Sequence, residues 1–247
     1  MLTPFLALLA VGSAQAAQTP PPAPGQATPG QIVEKALARY SNAKSMSGKL
    51  NLTQTAGGAK VTVDTAIQFD QPSKLYMRQV RQSSEPRQWV VVSDGKDWSY
   101  DKPEGVLGPP RFVEHVVQNG FSQTLRNMYG TAAKSMGDRS PILDIAIARP
   151  EDMRMVLNQW ANMRIHSRVK LRGVDTTAIV GQFRESINHP ISGTYEAYFS
   201  DSYDFMRFVL KQKFQVPDGQ SVEVLSVWDA DLKLDVVTDP SLYRVIR

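Results

Sequence analysis

From Gly48 to Tyr100 apolar and polar side chains alternate with a period of two. Val61, Val63, Ile67 and Phe69 fall on one side of an extended chain and Thr62, Asp64, Ala66 and Gln68 on the other. Successive side chains of a strand point to opposite faces, so this pattern predicts a long strand with one apolar face. Pro72-Ser73 marks a turn, after which Leu75 to Val80, Gln88 to Val92 and Trp98 to Tyr100 read as strands. Asp94-Gly95 joins the last two, because Gly tolerates the positive φ that a tight hairpin connection demands. A second strand-rich block comprises Ile165 to Leu171, Thr176 to Phe183, Thr194 to Phe199, Asp204 to Phe214 and Gln220 to Trp228. Its links, among them Arg172-Gly173-Val174-Asp175, Ser200-Asp201-Ser202 and Pro217-Asp218-Gly219, are short turn sequences, so sequence neighbours pair as an antiparallel meander. No recurring strand-helix-strand pattern supports a doubly wound parallel sheet.

Helical spacing appears in two places. Thr28 is placed to cap and Pro29 to open a helix from about Gly30 to Lys44, with Ile32, Val33, Ala36, Leu37 and Tyr40 on one stripe. Between the strand blocks, residues 111–162 carry four short runs. Phe112, Val113, Val116 and Val117 form the first, Phe121, Leu125 and Met128 the second, and Ile142 to Ile147 after Ser140-Pro141 the third. The fourth opens at Pro150 with Glu151 and Asp152, where the helix dipole favours acids, and carries Met153, Val156, Leu157 and Trp160. Gly120, Gly130, Gly137 and Pro150 interrupt the series. Helices this short make a poor independent bundle but can cover one face of a sheet. The fold class is therefore α+β, a curved antiparallel sheet capped by short helices. A meander of about ten strands is near the size at which open sheets curl, and its concave side is either filled by side chains or left for a ligand. The cover is rich in residues that adapt to irregular apolar partners, namely Phe112, Phe121, Met128, Tyr129, Met136, Met153, Met155 and Met163.

The N-terminal segment changes the picture of where the protein works. Phe5 to Val11 has the length of a signal-peptide apolar core, too short to span a bilayer, and Ala14-Gln15-Ala16 is a cleavage site, although Met1-Leu2-Thr3 lacks Lys or Arg. Residues 1–16 are thus expected to be a signal peptide, and 17–29, with Pro20, Pro21, Pro22 and Pro24, an extended linker. A single domain, 30–247, follows. Cysteine is absent, so no disulfide supports the fold and no thiol is present to carry the lipid of a bacterial lipoprotein. The expectation is a soluble protein without a lipid anchor. Net charge is +4, too small and too dispersed for nucleic-acid binding. The densest basic cluster, Arg164, Arg168, Lys170 and Arg172, reads as a solvated strand face.

Catalytic chemistry finds no support. His115, His166 and His189 stand in unrelated contexts without metal-binding spacing. There is no Gly-x-Ser-x-Gly elbow and no Cys nucleophile. Gly95-Lys96 lacks the earlier Gly of a phosphate loop, since Val90 stands there. The chain is expected to be no enzyme, with no cofactor and no metal.

Val91-Val92-Ser93-Asp94-Gly95-Lys96-Asp97-Trp98-Ser99-Tyr100-Asp101 resembles the hairpin of the LolA/LolB superfamily of periplasmic lipoprotein carriers. The resemblance extends over roughly Gln31 to Arg247. It includes the strand entry Phe69 to Arg78, the late strands Thr194 to Phe199 and Phe205 to Val209, and the ending Asp239-Pro240-Ser241-Leu242-Tyr243. It implies an unclosed β-barrel, or half-barrel, with a helical lid inserted at about 111–162 and an apolar interior that receives acyl chains of lipids or lipoproteins. Cavity and lid residues on that basis are Ile67, Phe69, Leu75, Met77, Trp89, Val91, Trp98, Phe112, Val116, Phe121, Leu125, Met128 and Met153. In LolA-type carriers a basic residue directly precedes the Pro of the strand entry and holds the lid closed; Gln71 occupies that position here. Partners implied are an inner-membrane donor complex and an outer-membrane acceptor, with peripheral membrane contact only. Two other readings remain open, a regulatory module on the same fold that senses lipoproteins or envelope stress, and a structural envelope protein whose barrel is filled.

Overall fold

The computed structural model describes residues 27–82, 86–101, 111–118, 121–136, 139–184, 192–215 and 221–245. The expected signal peptide and the first ten residues of the linker lie outside the described residues. Helix α1 (Pro29–Ser41) starts at a reciprocal cap, in which Thr28 Oγ1 accepts from the Gln31 amide and Gln31 Oε1 accepts from the Thr28 amide.

Strands β1 (Ser45–Ala56), β2 (Ala59–Asp70), β3 (Lys74–Gln82), β4 (Arg87–Asp94), β5 (Asp97–Asp101) and β6 (Arg111–His115) follow as a meander. A two-stranded ribbon, β7 (Val117–Gln118) and β8 (Phe121–Ser122), leads into helices α2 (Leu125–Met136), α3 (Pro141–Ala146) and α4 (Met153–Leu157). The second meander is β9 (Trp160–Leu171), β10 (Val174–Phe183), β11 (Gly193–Ser200), β12 (Phe205–Gln215) and β13 (Ser221–Leu234). Strand β13 returns beside β1, which fuses the two meanders into one antiparallel sheet of eleven strands, in the order β6-β5-β4-β3-β2-β1-β13-β12-β11-β10-β9. Strands β6 and β9 are its two edges, so the barrel is not closed.

The hairpin read from Asp94-Gly95 forms as expected. Asp94 Oδ1 accepts from the amides of Lys96 and Asp97, each at 2.8 Å, and Gly95 has φ +93°. Where β1 meets β13, a Cβ on Gly48 would lie 2.1 Å from the Asp231 carbonyl oxygen, so the two backbones approach as closely as they do only because position 48 has no side chain.

Two expectations are corrected. Phe112, Val113, Val116, Val117 and Phe121 were expected in short helices, but Arg111–His115 is an edge strand paired with β5 and Phe121 belongs to β8. Spacing of i, i+1, i+4, i+5 fits either state over so short a run. The free edge of β5 decides, because its backbone donors and acceptors need a partner. Trp160, expected at the end of the fourth helix, opens β9 opposite Phe183, and Met163 belongs to the same strand rather than to the cover. The helical part of the insertion is therefore 125–157. Edge strand β9 also slips register twice against β10, with Asn162 at φ 54°, the irregularity common at sheet edges.

The second half-sheet is packed by aromatic rings. Phe199 stacks on Phe205 at 4.6 Å and Trp160 meets Tyr195 edge-on at 4.8 Å, geometries that suit the ring quadrupole. Helix α1 is tied to this half by polar bonds. The Phe205 amide donates to Tyr40 Oη at 3.1 Å, Arg39 pairs with Asp204 at 2.9 Å and Lys35 Nζ donates to Tyr203 Oη at 3.1 Å.

Burial pushes the Tyr40 hydroxyl up to about 12, against a smaller opposing effect of the Phe205 bond. The folded chain then keeps a proton that the unfolded chain releases near pH 10, so this stabilisation is complete below pH 10 and fades as pH rises to 12. A rise from 10.0 to about 12 corresponds to about 2–3 kcal/mol. Denaturant midpoints followed from pH 9 to 12 are expected to fall more steeply for the native chain than for Tyr40→Phe; parallel curves would contradict this assignment.

Candidate binding site

One face of the sheet carries a continuous apolar surface beneath the helices. Met46, Leu50 and Leu52 of β1, Val63, Ile67 and Phe69 of β2, Leu75 and Met77 of β3, Trp89 and Val91 of β4 and Trp98 of β5 belong to a single buried cluster that includes α1 and the cover helices. Their alternation places them on one side, as the period-two pattern requires. Helix α2 packs against β4, α3 against β12 and α1 against β9, with α1 also touching α3 and α4.

The cover has its own internal ionic framework. Arg139 clasps Asp144 through Nε and Nη2, with distances down to 2.6 Å, and the two side chains are 10% and 4% exposed. Burial alone would lower the Arg139 guanidinium, but its bonds and attraction to Asp144 outweigh burial and hold it above its ordinary value. The Ser140 amide donates to Tyr129 Oη at 2.8 Å, joining α3 to α2. Arg126 reaches Asp152 at 2.6 Å, and Asp152 also accepts from the Arg149 amide, which ties α2 to the turn before α4. These bonds run within the cover, while the cluster that joins cover to sheet is apolar.

The structure brings most of the sequence-predicted residues together. Ile67, Phe69, Leu75, Met77, Trp89, Val91, Trp98, Val116, Leu125 and Met128 are between 0% and 4% exposed within the one cluster, and Met153 packs against it partly buried. The backbones of Phe112 and Phe121 lie on β6 and β8. In the described state, then, the inner face is lined by side chains that pack on one another. Two surface clefts of about 430 Å³ and 680 Å³ lie against β9–β13 and take in none of these residues. Gln71 sits half-buried in the β2–β3 turn, and its backbone N–H donates to the Lys44 carbonyl just past the end of α1.

Sequence reasoning missed the ionic framework. Asp144 is the one charged residue in Pro141–Ala146, and an acid inside an apolar run five residues after Arg139 was the available signal. His115 sits on β6 within hydrogen-bond distance of Asp97, His166 on β9 beside the smaller cleft, and His189 lies outside the described residues. Among the described residues no group of three or more His, Asp or Glu stands together in a way that could hold a metal. None of the described helices is long and apolar enough to cross a membrane.

No family model matches the chain, and no curated protein matches it in sequence. Solved structures do. LprF from Mycobacterium bovis matches with 13% identity over 85% of this chain and 94% of that chain, at a TM-score of 0.45. A LolA superfamily protein from Nitrosomonas europaea matches with 13% identity over 89% of this chain and 99% of its own, at a TM-score of 0.33. A chain of the MucA/MucB complex of Pseudomonas aeruginosa matches with 11% identity, over 88% of this chain and 60% of that chain, at a TM-score of 0.43.

Proposed function

We propose that the chain is a periplasmic carrier that shields acyl chains of a lipid or lipoprotein on the inner face of its half-barrel and passes them between membranes without ATP and without catalysis. One observation carries this reading. An open sheet presents a continuous apolar face, and the helices that cover it are held to one another by the Arg126–Asp152 ion pair and the Ser140–Tyr129 hydrogen bond while they meet the sheet through apolar side chains. Apolar contact has no directional requirement, so an acyl chain is a chemically equivalent replacement for the cover on that face. The apolar segment and Ala14-Gln15-Ala16 support secretion.

An acyl chain with about fourteen buried methylenes, at about 0.8 kcal/mol each, gains about 11 kcal/mol. Release requires an opposing term of that order. Re-closure of the cover over the same face supplies it, since cover and cargo compete for one surface. On this reading Gln71 serves at the rim as a neutral hydrogen-bonding group where LolA-type carriers have a cation, and a neutral bond is about half as strong.

A fluorescent fatty acid or an anilinonaphthalene sulfonate is expected to bind the native protein saturably, with no loss of the cooperative unfolding transition. Binding that appears only in partly denatured protein would overturn the carrier reading. It would favour a structural envelope protein with a filled barrel, a reading supported by the near-complete burial of Phe69, Leu75 and Met77.

A further inference from the structure

Among the buried polar atoms on the apolar inner face are Gln79 Oε1 and Trp89 Nε1, and neither has a hydrogen-bond partner among the described residues. Gln79 is 2% and Trp89 4% exposed. The two residues are directly opposed across β3 and β4, two positions along the ladder from the opposed pair of core residues Met77 and Val91 and so on the same face. Gln79 Nε2 donates to Thr65 Oγ1 at 3.1 Å, which fixes the amide so that its acceptor end is the one left over. Strand β4 is also the strand on which α2 packs. A buried donor or acceptor without a partner costs about 1–3 kcal/mol, and native structures rarely leave two side by side without a reason.

The pair consists of one acceptor and one donor on neighbouring strands. An ether or ester oxygen or a carboxylate only accepts, and satisfies Trp89 alone. A trans amide points its N–H and its C=O in opposite directions. A hydroxyl offers both from a single oxygen, accepting from the indole N–H while donating to the amide oxygen.

We propose that Gln79 and Trp89 form a seat for a hydroxyl at the head of a long alkyl or acyl chain, so that the inner face selects chains with a free hydroxyl close to the apolar tail. This rests on the reading of that face as a chain-binding surface and adds selectivity to it.

The test is displacement of a bound fluorescent fatty acid by hexadecan-1-ol and by hexadecyl methyl ether, which share a chain and differ in the donor. Native protein is expected to release the probe at about tenfold lower concentration of the alcohol than of the ether, the difference that one added net hydrogen bond of about 1.4 kcal/mol makes. In Gln79→Met the two competitors are expected to converge, with the ether unchanged, which also shows that the variant is folded. Trp89→Phe is expected to weaken both competitors and to reduce the alcohol's advantage. Equal displacement by alcohol and ether in the native protein would mean that the pair holds only water, and would overturn the seat while leaving chain binding intact. An alcohol preference that survives both substitutions would do the same. Failure of the fluorescent fatty acid to bind the native protein at all would overturn the seat and the chain-binding reading together.

Discussion

Asp144→Ala is expected to lower the unfolding free energy by about 3–5 kcal/mol, the range found when one partner of a buried ion pair is removed. Asp144 meets two nitrogens of Arg139 from inside α3, and the guanidinium also lies 5.8 Å from the centre of the Tyr129 ring. Removal of the carboxylate leaves a guanidinium that is 10% exposed without its counter-charge, and the protein must either bury that charge or open the cover to water. Urea midpoints with unchanged slope measure the loss. A change below about 1 kcal/mol would show that the pair is solvated and that the cover is not held by it. The double substitution Arg139→Met, Asp144→Leu is expected to recover most of the stability, because an apolar pair of similar volume needs no desolvation. If the cover is what an acyl chain displaces, the single variant also binds a fluorescent fatty acid faster than the native chain does.

Phe69→Ala is expected to cost about 3–5 kcal/mol. Phe69 is fully buried in β2 opposite Leu75 and Met46, so its loss removes transfer free energy and leaves a cavity that rigid strands on both sides cannot fill. The size of the effect separates two pictures of the inner face. A cost near the upper end means that the rings and methyls around position 69 are close-packed in the resting state and that cargo enters by displacing the cover. A cost near 1 kcal/mol means that the surface beside Phe69 already has free volume. Thermal or urea denaturation of this one variant distinguishes them.

The pattern of Val61, Val63, Ile67 and Phe69 announced both the strand and its buried face, and Asp94-Gly95 announced the hairpin, because each signal lies within a few residues of the structure it specifies. Thr28-Pro29 did the same for the start of α1. The run from Phe112 to Val117 could not be read in this way. Its state is set by the unpaired edge of β5, about a dozen residues earlier in the chain, and no local period encodes that requirement. Trp160 was misplaced for a related reason, since its partner Phe183 lies on another strand. Leu75, Met77, Trp89 and Trp98 were grouped on the resemblance to LolA-type carriers, since one-sided alternation was read only from Val61 to Phe69. The partner of Arg126 was not legible, since that pair depends on how α2 and the turn before α4 lie against one another and leaves little trace in hydrophobic spacing.

The pairing of β1 with β13 has a consequence for how the chain acquires its structure. The two strands at the centre of the sheet, residues 46–56 and 224–234, are among the most distant described segments in sequence. A chain that emerges from its N-terminus first has α1 and the strands β1 to β6 in hand long before β13 arrives, and until then both β1 and β12 present open edges to solvent. Such non-local closure is slow, and exposed edges with an apolar face invite association with other chains. A chain cut before Ser221 therefore loses the seam rather than a border strand, and leaves β1 and β12 as open edges.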